Sequence, residues 1–266
     1  MAGFIRKAMY AGSWYPSVKG AVKNYIIPDA KKREVIGCII PHAGWMFSGK
    51  IMGEVFSGIE PPETFVILSP NHTGLGESVS ILPEGGWDTP SGIVQTDEVF
   101  ADKLLACAGV LKADKLAHLQ EHSIEVLLPF IKYMFTESKI VPISFYDYSF
   151  DVCDDIGNAI ADVIAATSKK VVVIASTDMS HHVTQKVAEE KDKLAIEQIT
   201  KMNPKKMLEV IEDNEISMCG SGPVAAMLIT AKKMGAKNVE IVKHATSGDV
   251  THDYDVVVGY LGAVVY

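Results

Sequence analysis

The chain has 266 residues, of which 48% are hydrophobic and 22% are charged, and its formal net charge is −8 at pH 7. This composition is typical of a globular protein with one large core, and an acidic balance without a basic cluster argues against nucleic acid or an anionic membrane as a partner. No stretch approaches the ~20 apolar residues of a membrane span, and the N-terminus lacks a signal-peptide pattern.

Short runs rich in β-branched residues alternate with helical segments along the chain, and several of these runs are apolar on successive residues. Such runs are typical of strands that are covered by helices on both faces of a sheet. The predicted strands are Val35–Ile40, Thr64–Ser69, Lys139–Ser144, Val171–Ala175, Asn238–Lys243 and Val256–Val265. The predicted helices are Gly49–Ser57, Asp97–Ala106, Glu121–Phe135, Val152–Ala166, Thr184–Thr200, Pro204–Ile211 and Gly222–Met234. We therefore predict a single three-layer αβα domain over residues 1–266, with a largely parallel or mixed central sheet.

Two segments depart from this regular alternation. The segment Glu84–Gln95 is rich in turn residues and predicts an insertion or a hairpin. The helix that begins near Glu121 is apolar nearly all round, which predicts that it is buried. Pro129 removes a backbone donor inside this helix and predicts a kink or an early break. Because the helix also carries Glu121, His122 and Glu125, we expect these buried polar groups to have partners inside the protein.

Three predicted strands end in similar polar loops. His42 follows the first, Asn71 and His72 follow the second, and the segment from Ser176 to His182 follows the fourth. The carboxyl edge of parallel strands is where sites are built, so we expect His42, His72 and His181 to converge there. A single histidine after a strand is more often a hydrogen-bonded loop residue, and Asp178 is equally suited to capping a following helix. His182 is expected to point elsewhere.

Cys219 lies in a glycine-rich segment directly before the predicted helix Gly222–Met234. A thiol at a helix N-terminus loses its proton more easily, because the positive end of the helix dipole stabilises the thiolate. This position favours a reactive or metal-ligating role for Cys219. The other cysteines, Cys38, Cys107 and Cys153, are expected to be inert. Four widely spaced cysteines without a C-x-x-C pair favour a reducing compartment, and we expect a cytoplasmic protein.

Together these motifs resemble those of the Memo family, also called the AmmeMemoRadiSam system protein B family. The resemblance runs in order along nearly the whole chain. The motifs that carry it are Ala11-Gly12-Ser13-Trp14-Tyr15-Pro16, Pro41-His42-Ala43-Gly44-Trp45, Asn71-His72-Thr73, Glu121-His122-Ser123-Ile124-Glu125, Ser176-Thr177-Asp178-Met179-Ser180-His181 and Cys219-Gly220-Ser221-Gly222-Pro223.

The resemblance implies a fold related to that of the class III extradiol (LigB-type) dioxygenases, and a transition metal with iron(II) or copper ahead of zinc. It implies that His42, His72 and Cys219 are the metal ligands. Asp178 and His181 would then lie beside the metal, and His122 would reach in from the buried helix. A cysteine stands where those dioxygenases have a carboxylate, so ring cleavage is not inherited with the fold.

Three functions follow from this site. The first is an iron- or copper-dependent oxidoreductase in which His181 is the general acid or base and Asp178 orients it. The second is a non-catalytic module that uses a vestigial dioxygenase pocket to bind a peptide. The third is a zinc hydrolase with His181 or Glu121 as the base. The family name also suggests a radical-SAM protein as a partner. The sequence contains no glycine-rich phosphate loop, so we expect no nucleotide cofactor.

Overall fold

The computed structural model describes residues 3–266, and the predicted strands form one mixed sheet in it. In chain order the strands are β1 (Ile5–Arg6), β2 (Gly37–Ile40), β3 (Thr64–Pro70), β4 (Val79–Ile81), β5 (Gly86–Trp87), β6 (Val94–Gln95), β7 (Lys112–Ala113), β8 (Lys139–Phe145), β9 (Val171–Ser176), β10 (Asp178–Val183), β11 (Val239–Thr246) and β12 (Val257–Val265). The helices are α1 (Trp45–Ser57), α2 (Glu98–Cys107), α3 (Leu116–Leu119), α4 (His122–Glu125), α5 (Leu128–Met134), α6 (Phe150–Ala165), α7 (Gln185–Thr200), α8 (Pro204–Asp213), α9 (Ser221–Lys233) and α10 (Gly248–Thr251), with a 3-10 turn at Ala21–Asn24.

Four parallel strands form the centre of the sheet, in the order β2-β9-β3-β8. Strand β12 pairs with β2 in the antiparallel sense, and β10 and β11 pair with β12. Strand β4 is antiparallel to β8 at the other side. The predicted mixed sheet is therefore confirmed, and the strands before His42 and His72 lie on either side of β9, the strand before Asp178.

Side chains from alternate positions of the central strands pack into two separate cores. Ile39 and Val66 belong to the core under α6 and α9, whereas Cys38 and Phe65 belong to the core under α1 and α5. Because both faces of the strands are buried against helices, their sequences are apolar on successive residues. The predicted single αβα domain with three layers is confirmed.

The long helix that was predicted at Glu121–Phe135 is two helices in the structure. Helix α4 ends at Glu125, and α5 begins at Leu128 with Pro129 in its first turn. A proline at this position lacks only an N–H that would have no partner there, so it suits the start of a helix better than its interior. The predicted break is confirmed. The segment Glu84–Gln95 contains the antiparallel hairpin β5-β6.

The alternative in which Asp178 caps a following helix is wrong, because Asp178 lies in a strand. The chain continues past Thr177 in the same direction as β9 and forms β10, in which Asp178 pairs with Tyr260 of β12. Strand β2 pairs only with the last residues of β12, so β10 covers the part of that edge that β2 leaves unpaired. The next helix, α7, is capped by Thr184 instead. Among residues 3–266, no helix is long and apolar enough to cross a bilayer.

Candidate metal centre and cavity

The loops after β2, β3 and β9 meet at the carboxyl edge of the sheet, and helix α4 joins them from the side. One ring nitrogen from each of His42, His72 and His122 lies within 4.8 Å of the other two. The rings of His42 and His72 are 5.2 Å apart, measured between centroids. Neutral imidazoles are good ligands for zinc, copper, iron and nickel ions, so this group could hold a transition metal.

The tautomer of His42 follows from its hydrogen bonds. Its Nδ1 atom lies 2.9 Å from the hydroxyl of Ser176, and that hydroxyl donates its single hydrogen to the carbonyl of Ser123 at 2.8 Å. The hydroxyl must therefore accept from Nδ1–H, which leaves the lone pair of His42 on Nε2. Burial, followed by the charges of the neighbouring histidines, holds the pKa of His42 well below its usual range, so the ring is neutral.

Glu121 fixes the orientation of His72. Its Oε1 accepts from Nδ1 of His72 at 2.9 Å and from the N–H of Ser123 at 2.9 Å, and its Oε2 accepts from the backbone N–H of His72 at 2.6 Å. Burial alone would raise the pKa of this carboxyl, but the hydrogen bond and charge of His72 lower it to about 2. Because the carboxylate accepts a hydrogen bond from Nδ1–H, the lone pair of His72 is also on Nε2.

His122 is held mainly by rings. It stacks on His72 with 4.5 Å between centroids and lies against Trp14 at 4.2 Å. Its Nδ1 is 3.4 Å from Oε1 of Glu121, an oxygen that two shorter hydrogen bonds already use. Burial lowers the pKa of His122 to about 4, so this ring is neutral at pH 7 as well.

Cys219 lies directly before α9, and its Sγ is 3.3 Å from Nε2 of His42. The sulfur also accepts from the backbone N–H of Asp178 at 3.3 Å. The expectation of an easily ionised thiol is wrong. Burial, together with the charge of Asp178, raises the pKa of Cys219. The assignment of Cys219 as a metal ligand stays a prediction.

Asp178 and His181 both line the cavity beside the histidines, but each bonds to a different partner, so Asp178 does not orient His181 by a hydrogen bond as the oxidoreductase hypothesis expected. Oδ1 of Asp178 accepts from the backbone N–H of His42 at 2.8 Å. The ring of His181 instead uses Nδ1 to donate to the carbonyl of Ser217 at 2.8 Å. Burial raises the pKa of Asp178 to about 7 and lowers the pKa of His181.

The cavity beside the three histidines has a volume of about 710 Å³. Aromatic side chains form much of its wall, and the polar atoms of two of them bond to the protein. The hydroxyl of Tyr15 donates to Glu125, and Nε1 of Trp45 donates to the carbonyl of Val126. These side chains thus present carbon to the cavity, while the polar groups converge at the histidine end. The aromatic residues of the wall are Trp14, Tyr15, Tyr25, Trp45, Phe47 and Tyr260.

Several residues of the site were not predicted individually from the sequence. Ser176 and Ser123 lie within motifs that were recognised, but nothing in the sequence shows that their hydroxyl and carbonyl orient His42. Ser217, which holds His181, lies outside every recognised motif. The signal for Trp14 was stronger, because a motif near the N-terminus with two aromatic residues and a proline has no obvious place in a strand or helix.

Comparisons with known proteins agree with this architecture. A sequence profile described as Memo-like protein matches residues 6–264. A MEMO1 family protein of Methanopyrus kandleri is 44% identical over 232 residues, covering 86% of this chain and 82% of the relative. One from Methanothermobacter thermautotrophicus is 38% identical over 272 residues, covering 96% and 98%.

A solved structure shares the fold at low sequence identity. It is the crystal structure of uncharacterized protein JW3007 from Escherichia coli K12, with a TM-score of 0.60 and 13% identity. The alignment covers 87% of this chain and 99% of that protein. At this identity the similarity describes the fold alone.

Proposed function

The chain belongs to the Memo-like protein family, and from this premise we propose that it binds a transition metal ion between His42, His72 and His122 and acts as a metal-dependent oxidoreductase on a small molecule in the adjoining cavity. Iron(II) or copper is the proposed ion, and zinc is the alternative.

One observation carries this proposal: the hydrogen bonds of His42 and His72 at Nδ1 leave the lone pairs of both rings on Nε2. Ser176 accepts a hydrogen bond from Nδ1–H of His42, and Glu121 accepts one from Nδ1–H of His72. Histidines that bind metals commonly donate their second ring N–H to a carboxylate or another oxygen, which fixes the tautomer and raises the basicity of the ligand. The two histidines are thus prepared to ligate before an ion arrives.

The donor set fits a transition metal better than calcium or magnesium, because it consists of imidazoles with a nearby thiol. Cys219 is proposed as a further ligand. A nitrogen at ~2.0–2.1 Å and a sulfur at ~2.3 Å from one tetrahedral ion are about 3.5 Å apart. The separation of 3.3 Å between Nε2 of His42 and Sγ of Cys219 supports ligation of the same ion. The thiol would have to lose its raised-pKa proton as the metal binds.

An iron or copper ion held there would supply redox chemistry, and a zinc ion would supply Lewis acidity. The protein's own residues can move protons next to that position. Neutral His181 has its Nε2 lone pair available as a base, because Nδ1 donates to Ser217. The carboxyl of Asp178, with its pKa near 7, can hold or release a proton near neutral pH. The apolar wall would exclude water from the bound molecule.

The two alternatives are distinguished by specific contacts and by metal content. Both oxygens of Glu121 are occupied and its side chain is fully buried, which counts against a zinc hydrolase with Glu121 as its base. A peptide-binding module remains the proposal if the purified protein holds no metal. The relation to LigB-type dioxygenases, the radical-SAM partner and the cytoplasmic location stay predictions, the last supported by four free cysteines.

Anaerobic purification followed by elemental analysis and titration with iron(II), copper(I) and zinc(II) tests the proposal. We expect one ion per chain, and strong loss of binding in His42→Ala and His72→Ala. His252→Asn is the matched control, because His252 is exposed and its φ of 59° suits asparagine. Wild-type protein without affinity for any of the three ions would refute the metal site.

A further inference from the structure

The three histidines of the cluster are held by unequal means. His42 and His72 each have a hydrogen-bond partner at 2.9 Å on Nδ1. The Nδ1 of His122 has only the more distant Oε1 of Glu121, at 3.4 Å. Since that oxygen already accepts two bonds at 2.9 Å, it fixes the ring of His122 weakly. Something else must restrict the rotation of His122 about its side-chain torsions.

The ring of Trp14 is in the position to do this. The centroid of the Trp14 ring lies 4.2 Å from that of His122, with an angle of 43° between the planes. The ring of His72 stacks on the same imidazole at 4.5 Å. His122 thus has ring contacts from the N-terminal segment and from the loops after β2 and β3. Tyr10 adds an edge contact at 5.8 Å. Contacts of this kind contribute about 0.5–1.5 kcal/mol each beyond burial, enough to select one rotamer.

Trp14 is itself held in place on both sides. Its backbone N–H donates to the carbonyl of Tyr10 at 3.0 Å, and its carbonyl accepts from the N–H of Trp45 at 2.9 Å. The flanking residues are tied to Glu125, which accepts from the N–H of Tyr10 at 2.8 Å and from the hydroxyl of Tyr15 at 2.7 Å. Glu125 ends the same short helix that His122 begins. One helix thus carries both the histidine and the anchor of the tryptophan that packs on it.

From this geometry we propose that Trp14 is a positioning residue that holds His122 as the third metal ligand. The inference rests on the proposed metal site. Trp14 replaces the hydrogen-bonded oxygen that orients His42 and His72, so its loss would free His122 to rotate away and would leave the ion with fewer protein ligands. Trp14 does not touch the ion in this proposal, and it acts only through the imidazole.

A double-mutant cycle on zinc(II) affinity, measured by chelator competition, tests this role. We expect Trp14→Ala to weaken binding about tenfold, as outer partners of ligating histidines do. In the His122→Ala background the same substitution should change affinity by less than about twofold, because the ligand through which Trp14 acts is gone. Trp14→Phe should restore most of the affinity, since it keeps an aromatic face. Val18→Ala is the control, because Val18 is exposed and does not line the cavity.

A spectroscopic readout separates positioning from general damage to the fold. With cobalt(II) as a probe, Trp14→Ala should change the visible absorption bands in the same way as His122→Ala, whereas Val18→Ala should leave them as in wild type. Equal weakening by Trp14→Ala in both backgrounds, or wild-type affinity in Trp14→Ala, would overturn the inference. If His122→Ala binds zinc(II) like wild type while His42→Ala does not, the inference fails and the proposed metal site stands. If wild type binds no metal, both fail.

Discussion

Nδ1 of His72 lies 2.9 Å from Oε1 of Glu121, and the backbone N–H of His72 donates to Oε2 of the same carboxylate at 2.6 Å. One buried side chain therefore holds both the ring and the main chain of a candidate ligand. Glu121 is the N-cap residue of α4, which is distant in sequence from the loop that bears His72, so this contact also connects two of the elements that build the site. It makes Glu121 part of the support of the site rather than a base facing the cavity.

Replacing Glu121 with glutamine should weaken metal binding by about 10- to 100-fold. Glu121 accepts from the ring and from two backbone N–H groups with two oxygens, whereas a glutamine would have only one acceptor oxygen and no negative charge. Zinc(II) and iron(II) titrations of Glu121→Gln measure the effect, with the exposed Glu137→Gln as the control. Wild-type affinity in Glu121→Gln would contradict the role assigned to this contact.

The hydroxyl of Ser176 should matter in the same way for His42. Ser176→Ala removes the acceptor of the Nδ1 proton, so the ring is free to place its proton on Nε2 and lose the lone pair directed to the metal. We expect metal affinity to fall about tenfold while the protein stays folded. Ser80→Ala is a matched control, because Ser80 is also fully buried but its hydroxyl has no hydrogen-bond partner within the described residues. An equal effect in both variants would assign the loss to packing.

The positions of His42 and His72 could be predicted because they depend on strand order alone. Successive apolar residues in β2, β3 and β9 predicted a covered parallel sheet, and the ends of such strands meet at one edge. The strand β10 could not be predicted in this way, since Asp178–Val183 is a polar run whose extended form depends on the free edge of β12. The pKa of Cys219 was predicted in the wrong direction, because the sequence shows the helix that follows but not the burial that raises the pKa.

Cys219→Ser should keep the fold and weaken metal binding by at least about tenfold, with a larger loss for copper(I) than for iron(II). A neutral hydroxyl would replace a charged and polarisable sulfur, and copper(I) is the softer ion. Parallel titrations of the two ions measure the difference. His181→Ala should leave both affinities unchanged, since its ring is held by Ser217 and is assigned to proton transfer. Equal binding in Cys219→Ser and wild type would remove Cys219 from the ligands.

The buried pair of Arg6 and Glu125 should dominate the stability of the N-terminal segment. Both side chains are almost inaccessible and bonded to each other, and Glu125 also accepts from the backbone of Met9 and Tyr10. Glu125→Gln leaves the guanidinium without its counter-charge, so we expect a loss of about 3–5 kcal/mol in the free energy of unfolding. Adding Arg6→Met should recover part of that loss, because the unpaired charge is then absent. Urea denaturation of the three proteins measures this, and a loss below 1 kcal/mol in Glu125→Gln would contradict it.

A buried histidine away from the metal centre should make stability depend on pH. His118 is fully buried, and neither ring nitrogen has a hydrogen-bond partner within the part of the chain that the structure describes. Burial lowers its pKa to about 4, against about 6.5 for an exposed histidine. Between these two values the unfolded chain binds a proton that the folded chain does not. The folded state is therefore favoured less as the pH falls through this window, and the contribution is restored above about pH 6.5.

His118→Leu isolates this effect, because leucine is of similar size and cannot bind a proton. Going from pH 7 to pH 5, wild type should lose about 2 kcal/mol more unfolding free energy than the variant does. At pH 7 the variant should be as stable as wild type or about 1 kcal/mol more stable, since no hydrogen bond is lost and two buried polar atoms are removed. Urea midpoints at the two pH values, for both proteins, give the comparison. Parallel pH profiles for wild type and His118→Leu would show that His118 is protonated in the folded protein with an ordinary pKa.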